Sequence, residues 1–316
     1  LPIGVVGGFQ FSPNGQQLAL SINTATSPTD VYVIDLKSAQ LTRWSQSEVG
    51  GLDSTTFITP TLVRYKSFDG KQIPAFLYKP EGAGPFPVII NIHGGPEAQS
   101  FPTFSPSIQF MLRELKVAVL VPNVRGSSGY GKNYLQLDNG LKRKDSVKDI
   151  GALLDWIATQ PSLNKDRVGV SGGSYGGYMV LASMVDYNDR IRAGIDVVGI
   201  SHFTTFLTNT ESYRRDLRRA EYGDEREPEM RAFHEKIAPL NNAKNITRPL
   251  FVAQGFNDPR VPYTEAEQMV KAVRSNGGAV WYLMYKDEGH GFAKKANNDY
   301  FGAASMLFWQ KYLLDE

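Results

Sequence analysis

The sequence predicts an α/β fold, a mostly parallel sheet with helices on both faces, preceded by a small group of short antiparallel strands. Three observations carry this. Short continuous runs of Val, Ile and Leu recur from residue 88 onward and alternate with helical stretches, the pattern of strands buried on both faces. Glycine-rich turns stand directly after several of these runs, where sheets of this kind bind ligands. The 316 residues are 41% hydrophobic and 21% charged, an ordinary globular balance that excludes disorder as the dominant state.

The elements follow in chain order. Between residues 9 and 44, alternating runs at Leu18 to Ile22 and Val31 to Leu36 are separated by Pro13-Asn14-Gly15 and Pro28-Thr29-Asp30, which reads as short antiparallel strands. About 35 residues holding three or four strands is the size of one β-propeller blade, and a blade cannot bury its faces alone. We therefore expect residues 1–58 to be a propeller-blade remnant plus linker, with sibling blades upstream, in preference to an isolated meander. Gly50-Gly51 through Pro60 is that linker. Residues 59–316 form the second unit. It opens with a hairpin, Leu62 to Phe68 and Ile73 to Tyr78, around Asp69-Gly70. Buried strands are expected at Val88 to Ile92, Val117 to Val121, Val168 to Val170, Ala193 to Val198, Leu250 to Ala253 and Val280 to Tyr285. The clearest helix is Ser146 to Thr159, with Val147, Ile150, Leu153, Leu154 and Ile157 on one face.

Composition excludes several classes. Lys plus Arg number 34 against 32 Asp plus Glu, a net charge of +2, so no sequence-independent grip on nucleic acid is expected. No uninterrupted apolar stretch reaches the roughly 18 to 20 residues that span a bilayer, and we expect a soluble protein without a membrane partner. The absence of cysteine removes disulfides, thiolate nucleophiles and Cys-ligated metals, and leaves the compartment unassigned. The chain opens at Leu1-Pro2-Ile3 without a basic-then-apolar leader. An imidazole must come from His93, His202, His234 or His290.

Gly172-Gly173-Ser174-Tyr175-Gly176 fits G-x-S-x-G between a strand and an apolar helical run at Tyr178 to Val185. A strand, a sharp turn and a helix would thrust the Ser174 hydroxyl out at the top of the sheet, the arrangement of an α/β-hydrolase nucleophile. The order in such folds is Ser, Asp, His. His290 lies in the Gly-flanked loop 287–292 after the last strand, whereas His202 directly follows a strand and His234 lies in a charged helical stretch; packing or surface roles suit both. Asp258 sits in a turn at the carboxyl end of the Leu250 strand. Asp196 is inside a strand, and Asp287 is too close in sequence to the histidine it would orient. Two N–H donors for an oxyanion are expected from Tyr175 and from the glycines of His93-Gly94-Gly95-Pro96, with His93 stabilising that loop.

Taken together, HGGP at 93–96, NVRGSSGYG at 123–131, GGSYGGY at 172–178, NDPRVP at 257–262 and DEGHGF at 287–292 resemble the prolyl oligopeptidase family of serine peptidases, in its acylaminoacyl-peptidase and bacterial dipeptidyl-aminopeptidase branch. The likeness covers about residues 60–316. It implies an α/β-hydrolase with Ser174, Asp258 and His290 as the triad, Tyr175 with Gly94 or Gly95 as oxyanion donors, and Arg260 holding a substrate carbonyl. By position it makes Ile200, Phe203, Phe206 and Val261 the lining of an apolar pocket. No cofactor or metal is implied. The implied partner is an oligopeptide; homo-oligomerisation or association with a missing propeller stays open. A carboxylesterase and a silent hydrolase-fold binding protein are the alternatives. Gly126 to Lys132 nearly fits a phosphate-binding loop, but Asn133 stands where a Ser or Thr is required. Arg214, Arg215, Arg218 and Arg219 read as a paired, solvated face.

Overall fold

A computed structural model describes residues 1–315. Strands β1 (Gly4–Phe11), β2 (Gln17–Thr24), β3 (Ser27–Asp35) and β4 (Leu41–Arg43) form an antiparallel sheet in sequential order. Leu20, Ile22 and Tyr32 make a small core on one side, while Val6, Phe9, Phe11 and Val31 remain exposed. β1 escapes the sequence pattern because Gly4, Gly7 and Gly8 interrupt its alternation.

The sheet is tied to the rest of the chain at the β2–β3 turn. Asn23 Oδ1 accepts from the Phe104 amide at 2.8 Å. Gln109 lies on α1 (Pro106–Arg113) and is 1% exposed. Its amide nitrogen donates to the Ala25 carbonyl at 3.2 Å and the Ile58 carbonyl at 3.0 Å, and its oxygen accepts from the Ile58 N–H at 2.9 Å.

The remaining strands are β5 (Thr61–Lys66), β6 (Gln72–Tyr78), β7 (Phe86–Ile92), β8 (Ala118–Pro122), β9 (Leu163–Gly173), β10 (Ala193–Val197), β11 (Leu250–Gly255) and β12 (Val280–Tyr285). They form one sheet in the order β12-β11-β10-β9-β7-β8-β6-β5, parallel from β12 to β8 and antiparallel at the β8–β6 and β6–β5 pairs. This is an α/β-hydrolase fold. β9 is much longer than Val168 to Val170, because its polar Asn164 to Arg167 end runs past the core.

Alternate residues of each strand face opposite layers. Val88, Ile90, Leu250 and Val252 join the core that contains residues of α3 (Arg143–Ala158), α4 (Tyr175–Asp186) and α8 (Tyr263–Ser275). Ile89, Phe251 and Ala253 pack with Phe308 and Trp309 of α9 (Lys295–Trp309) on the other side. Between β10 and β11 the chain adds α5 (Phe203–Asn209), α6 (Ser212–Tyr222) and α7 (Pro228–Ile237), and α2 (Lys132–Leu135) follows β8. From β7 the chain steps outward to β8 and then returns to the other flank of β7 as β9. The carboxyl ends of β7 and β9 therefore flank a switch point, where such sheets open a crevice.

Removing the Gln109 side chain would leave three buried backbone groups without partners, a cost of about 2–3 kcal/mol. Gln109→Ala is expected to accelerate limited proteolysis within residues 44–60 before the α/β sheet melts. Cleavage at the wild-type rate would place the join elsewhere.

Candidate active site

β9 ends in a turn that only small residues allow. A side chain at Gly172 would meet the Gly176 carbonyl oxygen at 2.5 Å, and one at Gly176 would meet the Ile92 carbonyl oxygen at 2.2 Å. The first turn of α4 is thus pressed against the end of β7. Ser174 sits between them at φ 59°, ψ −120°, a strained conformation for a residue with a Cβ. Its N–H is held by the Val197 carbonyl at 2.8 Å. Tyr175 opens α4, so its N–H has no partner within the helix and joins the positive end of the helix dipole. Gly94 lies directly over this turn: a Cβ there would be 3.4 Å from that of Ser174.

The Asp258 and His290 loops are stitched together by their backbones. Phe256 N–H donates to the Tyr285 carbonyl and Asn257 N–H to the Glu288 carbonyl, each at 2.9 Å. Glu288 closes the second loop by accepting from the amides of Ala293 (3.1 Å) and Lys294 (2.9 Å). The Asp258 side chain is wholly buried, and its Oδ1 accepts from the N–H groups of Arg260 (2.8 Å) and Val261 (3.1 Å). Its Oδ2 is 2.7 Å from His290 Nδ1, so a carboxylate that can only accept holds the ring as the Nδ1–H tautomer. Among the described residues, neither the Ser174 hydroxyl nor His290 Nε2 has a hydrogen-bond partner; both residues are half-buried, Ser174 after β9 and His290 after β12. Such bonds tighten when substrate arrives.

The other three histidines are committed elsewhere. His202 caps α5 through Nδ1 and reaches Glu235 at 3.1 Å. His234 is fully buried with Nε2 at 2.9 Å from the Tyr222 carbonyl. His93 is anchored at both nitrogens, 2.7 Å from the Gly94 carbonyl and 2.8 Å from Ser127 Oγ, and burial lowers its pKa. The 123–131 segment is therefore scaffolding: Arg125, fixed by Asp149 and Asp69, carries the loop whose Ser127 meets His93. Among the described residues no group of three or more His, Asp or Glu is placed to hold a metal.

The expected pocket lining differs in detail. Phe203 is fully enclosed, with ring centroids of Tyr178 and Tyr222 at 4.5 and 4.7 Å, so it is core and cannot touch a ligand in this conformation. Ile200, Phe206 and Val261 are nearly as buried. Glu265 holds this region: it is buried and accepts from the amides of Ser201 and His202 and from the Ser201 and Thr205 hydroxyls. Arg260 is exposed, its side chain makes no ion pair among the described residues, and the Glu265 partner it could have had is taken. Arg218 turns inward to the Gly95 carbonyl at 3.3 Å, unlike a solvated surface arginine.

A strained serine after β9 and a carboxylate-held imidazole after β12 thus lie at the carboxyl ends of one α/β-hydrolase sheet. Residues 102–316 match the prolyl oligopeptidase family. Dipeptidyl aminopeptidase BIII of Pseudoxanthomonas mexicana is 30% identical over 301 residues, covering 92% of this chain and 43% of that protein. Dipeptidyl peptidase family member 6 of Caenorhabditis elegans is 34% identical over 220 residues, 68% of this chain and 30% of that one. The solved structure of Pyrococcus horikoshii acylaminoacyl peptidase superposes with a TM-score of 0.87 at 23% identity, over 99% of this chain and 50% of the other. The chain belongs to the prolyl oligopeptidase family of serine peptidases. It spans less than half the length of these curated relatives.

Sequence reading passed over one group beneath this site. Asp196, next to last in β10, is fully buried between Gly177 of α4 and Gly199, and neither carboxyl oxygen has a hydrogen-bond partner. Burial pushes its pKa up to about 7; the Gly199 N–H, close by without a well-formed hydrogen bond, pulls it back, and the Glu265 charge adds to the rise. Because the folded value exceeds the unfolded one, the protonated carboxyl favours the fold at low pH, and that advantage is lost as pH climbs from about 4 to 7. The Tm of Asp196→Asn minus that of the wild type should therefore rise across this window and level off above it. A difference independent of pH would mean that Asp196 titrates normally.

Proposed function

We propose that this chain is the catalytic part of a serine peptidase that cleaves peptide bonds in oligopeptides through an acyl-enzyme. The observation that carries the reading is the 2.7 Å contact between His290 Nδ1 and a buried carboxylate already fixed by two backbone amides, at the same end of the sheet as the strained Ser174 turn. In this reading Ser174 attacks the scissile carbonyl and His290 Nε2 takes its proton. The tetrahedral oxyanion is met by the N–H of Tyr175 and one from the Gly94-Gly95 turn. Collapse expels the amine, which receives the proton from His290. Water then repeats the sequence to release the acid. Asp258 keeps the Nδ1–H tautomer and stabilises the imidazolium.

We read residues 1–58 as a β-propeller-blade remnant and linker, the strands ending at Arg43. The exposed Phe9, Phe11 and Val31 support this, since a blade in a propeller covers such residues with its neighbour.

Ser174→Ala should abolish fluorophosphonate labelling and lower turnover by on the order of 10⁶, with His290→Ala comparably damaging. Labelling that persists in the serine variant would remove Ser174 from the reaction.

Peptidase and esterase readings part at Arg260. A peptide offers a carbonyl one residue before the scissile bond, and a small ester does not. An exposed guanidinium two residues from Asp258, without an ion-pair partner among the described residues, is disposed to donate to it. A charge-assisted hydrogen bond is worth roughly 1.5–3 kcal/mol, or about 10- to 150-fold in kcat/KM. Arg260→Ala should therefore cut kcat/KM by that order on an acyl-dipeptide anilide and leave p-nitrophenyl acetate almost untouched. Equal losses on both substrates would favour the esterase.

A further inference from the structure

Both carbonyls of the Gly94-Gly95 turn are held by side chains. The Gly94 oxygen is 2.7 Å from His93 Nδ1. The Gly95 oxygen accepts from Tyr222 Oη at 3.1 Å and from Arg218 at 3.3 Å, both on α6. A peptide unit is planar with its N–H opposed to its C=O, so fixing the Gly94 carbonyl aims the Gly95 N–H. Fixing the Gly95 carbonyl stops the turn from rotating about a residue at φ +134°, where glycine alone is comfortable.

Tyr222 is backed by a buried cation. The Arg143 guanidinium lies 5.2 Å from the Tyr175 ring centroid and 4.9 Å from that of Tyr222, and it donates to the Glu221 carbonyl at 2.7 Å. Its other arm pairs with Asp138, which also accepts from Tyr175 Oη at 3.0 Å. Tyr175 and Arg143 are both fully buried, and Tyr222 is 2% exposed. Burial keeps the Tyr222 phenol protonated, a neutral donor toward Gly95. One buried guanidinium thus links the residue that opens α4 to the residue that clamps the glycine turn.

We propose that Tyr222, backed by Arg143 and helped by Arg218, is a positioning residue that holds the two oxyanion-binding segments in mutual register. It touches no reacting atom. The inference rests on the serine-hydrolase reading and adds the element that sets the geometry of its anion site. Because the tetrahedral state exploits that geometry more than bound substrate does, loss of the clamp should appear in kcat and leave KM unmoved.

Tyr222→Phe keeps the ring over Arg143 and deletes only the hydroxyl. One neutral hydrogen bond, partly covered by Arg218, sets the scale: kcat on an acyl-dipeptide anilide should fall about 3- to 20-fold with KM within about twofold. Affinity for a peptidyl aldehyde, whose hemiacetal oxyanion uses the same hole, should fall by the same factor while Tm holds. Arg218→Gln, made at a partly exposed side chain, should act in the same sense but more weakly. It also serves as the test if the phenylalanine variant does not fold. Unchanged kcat and aldehyde affinity in a chain whose wild type turns over substrate would overturn this inference alone. A loss that follows Tm or the titre of labelled sites would overturn it too, by making Tyr222 merely structural. A wild-type chain that neither hydrolyses substrate nor takes up fluorophosphonate would overturn the hydrolase reading and this inference with it.

Discussion

The whole arrangement depends on how closely two pieces of backbone approach at the switch point. The turn after β9 and the end of β7 meet so tightly that the carbonyl of Ile92 occupies the space a side chain at Gly172 or Gly176 would need. That contact does three things together. It forces Ser174 into a conformation that costs of order 1–3 kcal/mol. It starts α4 at Tyr175, whose N–H has no partner within the helix. It also places the Gly94-Gly95 turn directly over the serine. The strain persists because the surrounding sheet over-determines it: Ser174 is tied to β10 through Val197, and Val198, β-branched yet at φ 48°, is tied in turn to Ala253 of β11. The carboxyl ends of β9, β10 and β11 are thereby registered as one edge.

Around that edge lies a frame of buried charge. Arg125 with Asp149, Arg143 with Asp138, and Glu265 with its four donors are all removed from water. Such pairs contribute little net stability over apolar replacements of the same shape, because desolvation offsets their attraction. Their geometric demands are strict, however, since a misplaced partner leaves an uncompensated charge. Each of the three holds a loop rather than a helix–sheet contact. Arg125 holds the segment behind His93, Arg143 joins Tyr175 to Tyr222, and Glu265 fixes the turn after β10. Apolar packing of the sheet and helices sets where the loops begin, and the buried charges set where they end. Asp196 is the exception, a buried carboxyl with no such partner, and it makes the region sensitive to pH.

What could be read from the sequence divides along the same line. The sheet and its main helices were legible because burial on both faces produces uninterrupted Val and Ile runs, and α3 shows its apolar stripe openly. Ser174, Asp258 and His290 stand out as candidates because each sits in a short Gly- or Pro-marked turn directly after a strand, and the structure brings the last two to 2.7 Å. β1 was hidden by its glycines, and the polar lower half of β9 carries no apolar signal. The clamp on Gly95 could not be seen at all. Arg143 and the Glu221 carbonyl it binds are 78 residues apart, and nothing local distinguishes Arg143 from the exposed basic residues beside it. Arg218 was masked in the same way by its basic neighbours on α6. One trace did exist: Ser146 and Asp149 fall on the apolar stripe of α3, where a polar residue must have a partner. Phe203 was misplaced for the converse reason, since an aromatic after a strand reads the same whether it lines a cavity or fills a core.

This division bears on how such a site can choose among substrates. An apolar floor discriminates weakly, by about 1–3 kcal/mol per methylene, whereas a polar group left unpaired by the wrong ligand discriminates far more strongly. Most of the polar groups near the crevice are already spoken for. Asp258 serves His290 and its own turn, Glu265 serves the β10 loop, and Arg218 is engaged by Glu221 and Gly95. Arg260 alone on the Asp258 loop keeps an exposed charged side chain without an ion-pair partner among the described residues. Its backbone is nonetheless fixed, the N–H by Asp258 and the carbonyl by Thr210 at 2.7 Å. A side chain whose backbone is already fixed needs no loop ordering to meet a ligand, so only its own rotamer freedom is lost. Under the proposed peptidase reading, selectivity for a peptide over a simple ester would fall to Arg260, positioned by the same turn that holds Asp258.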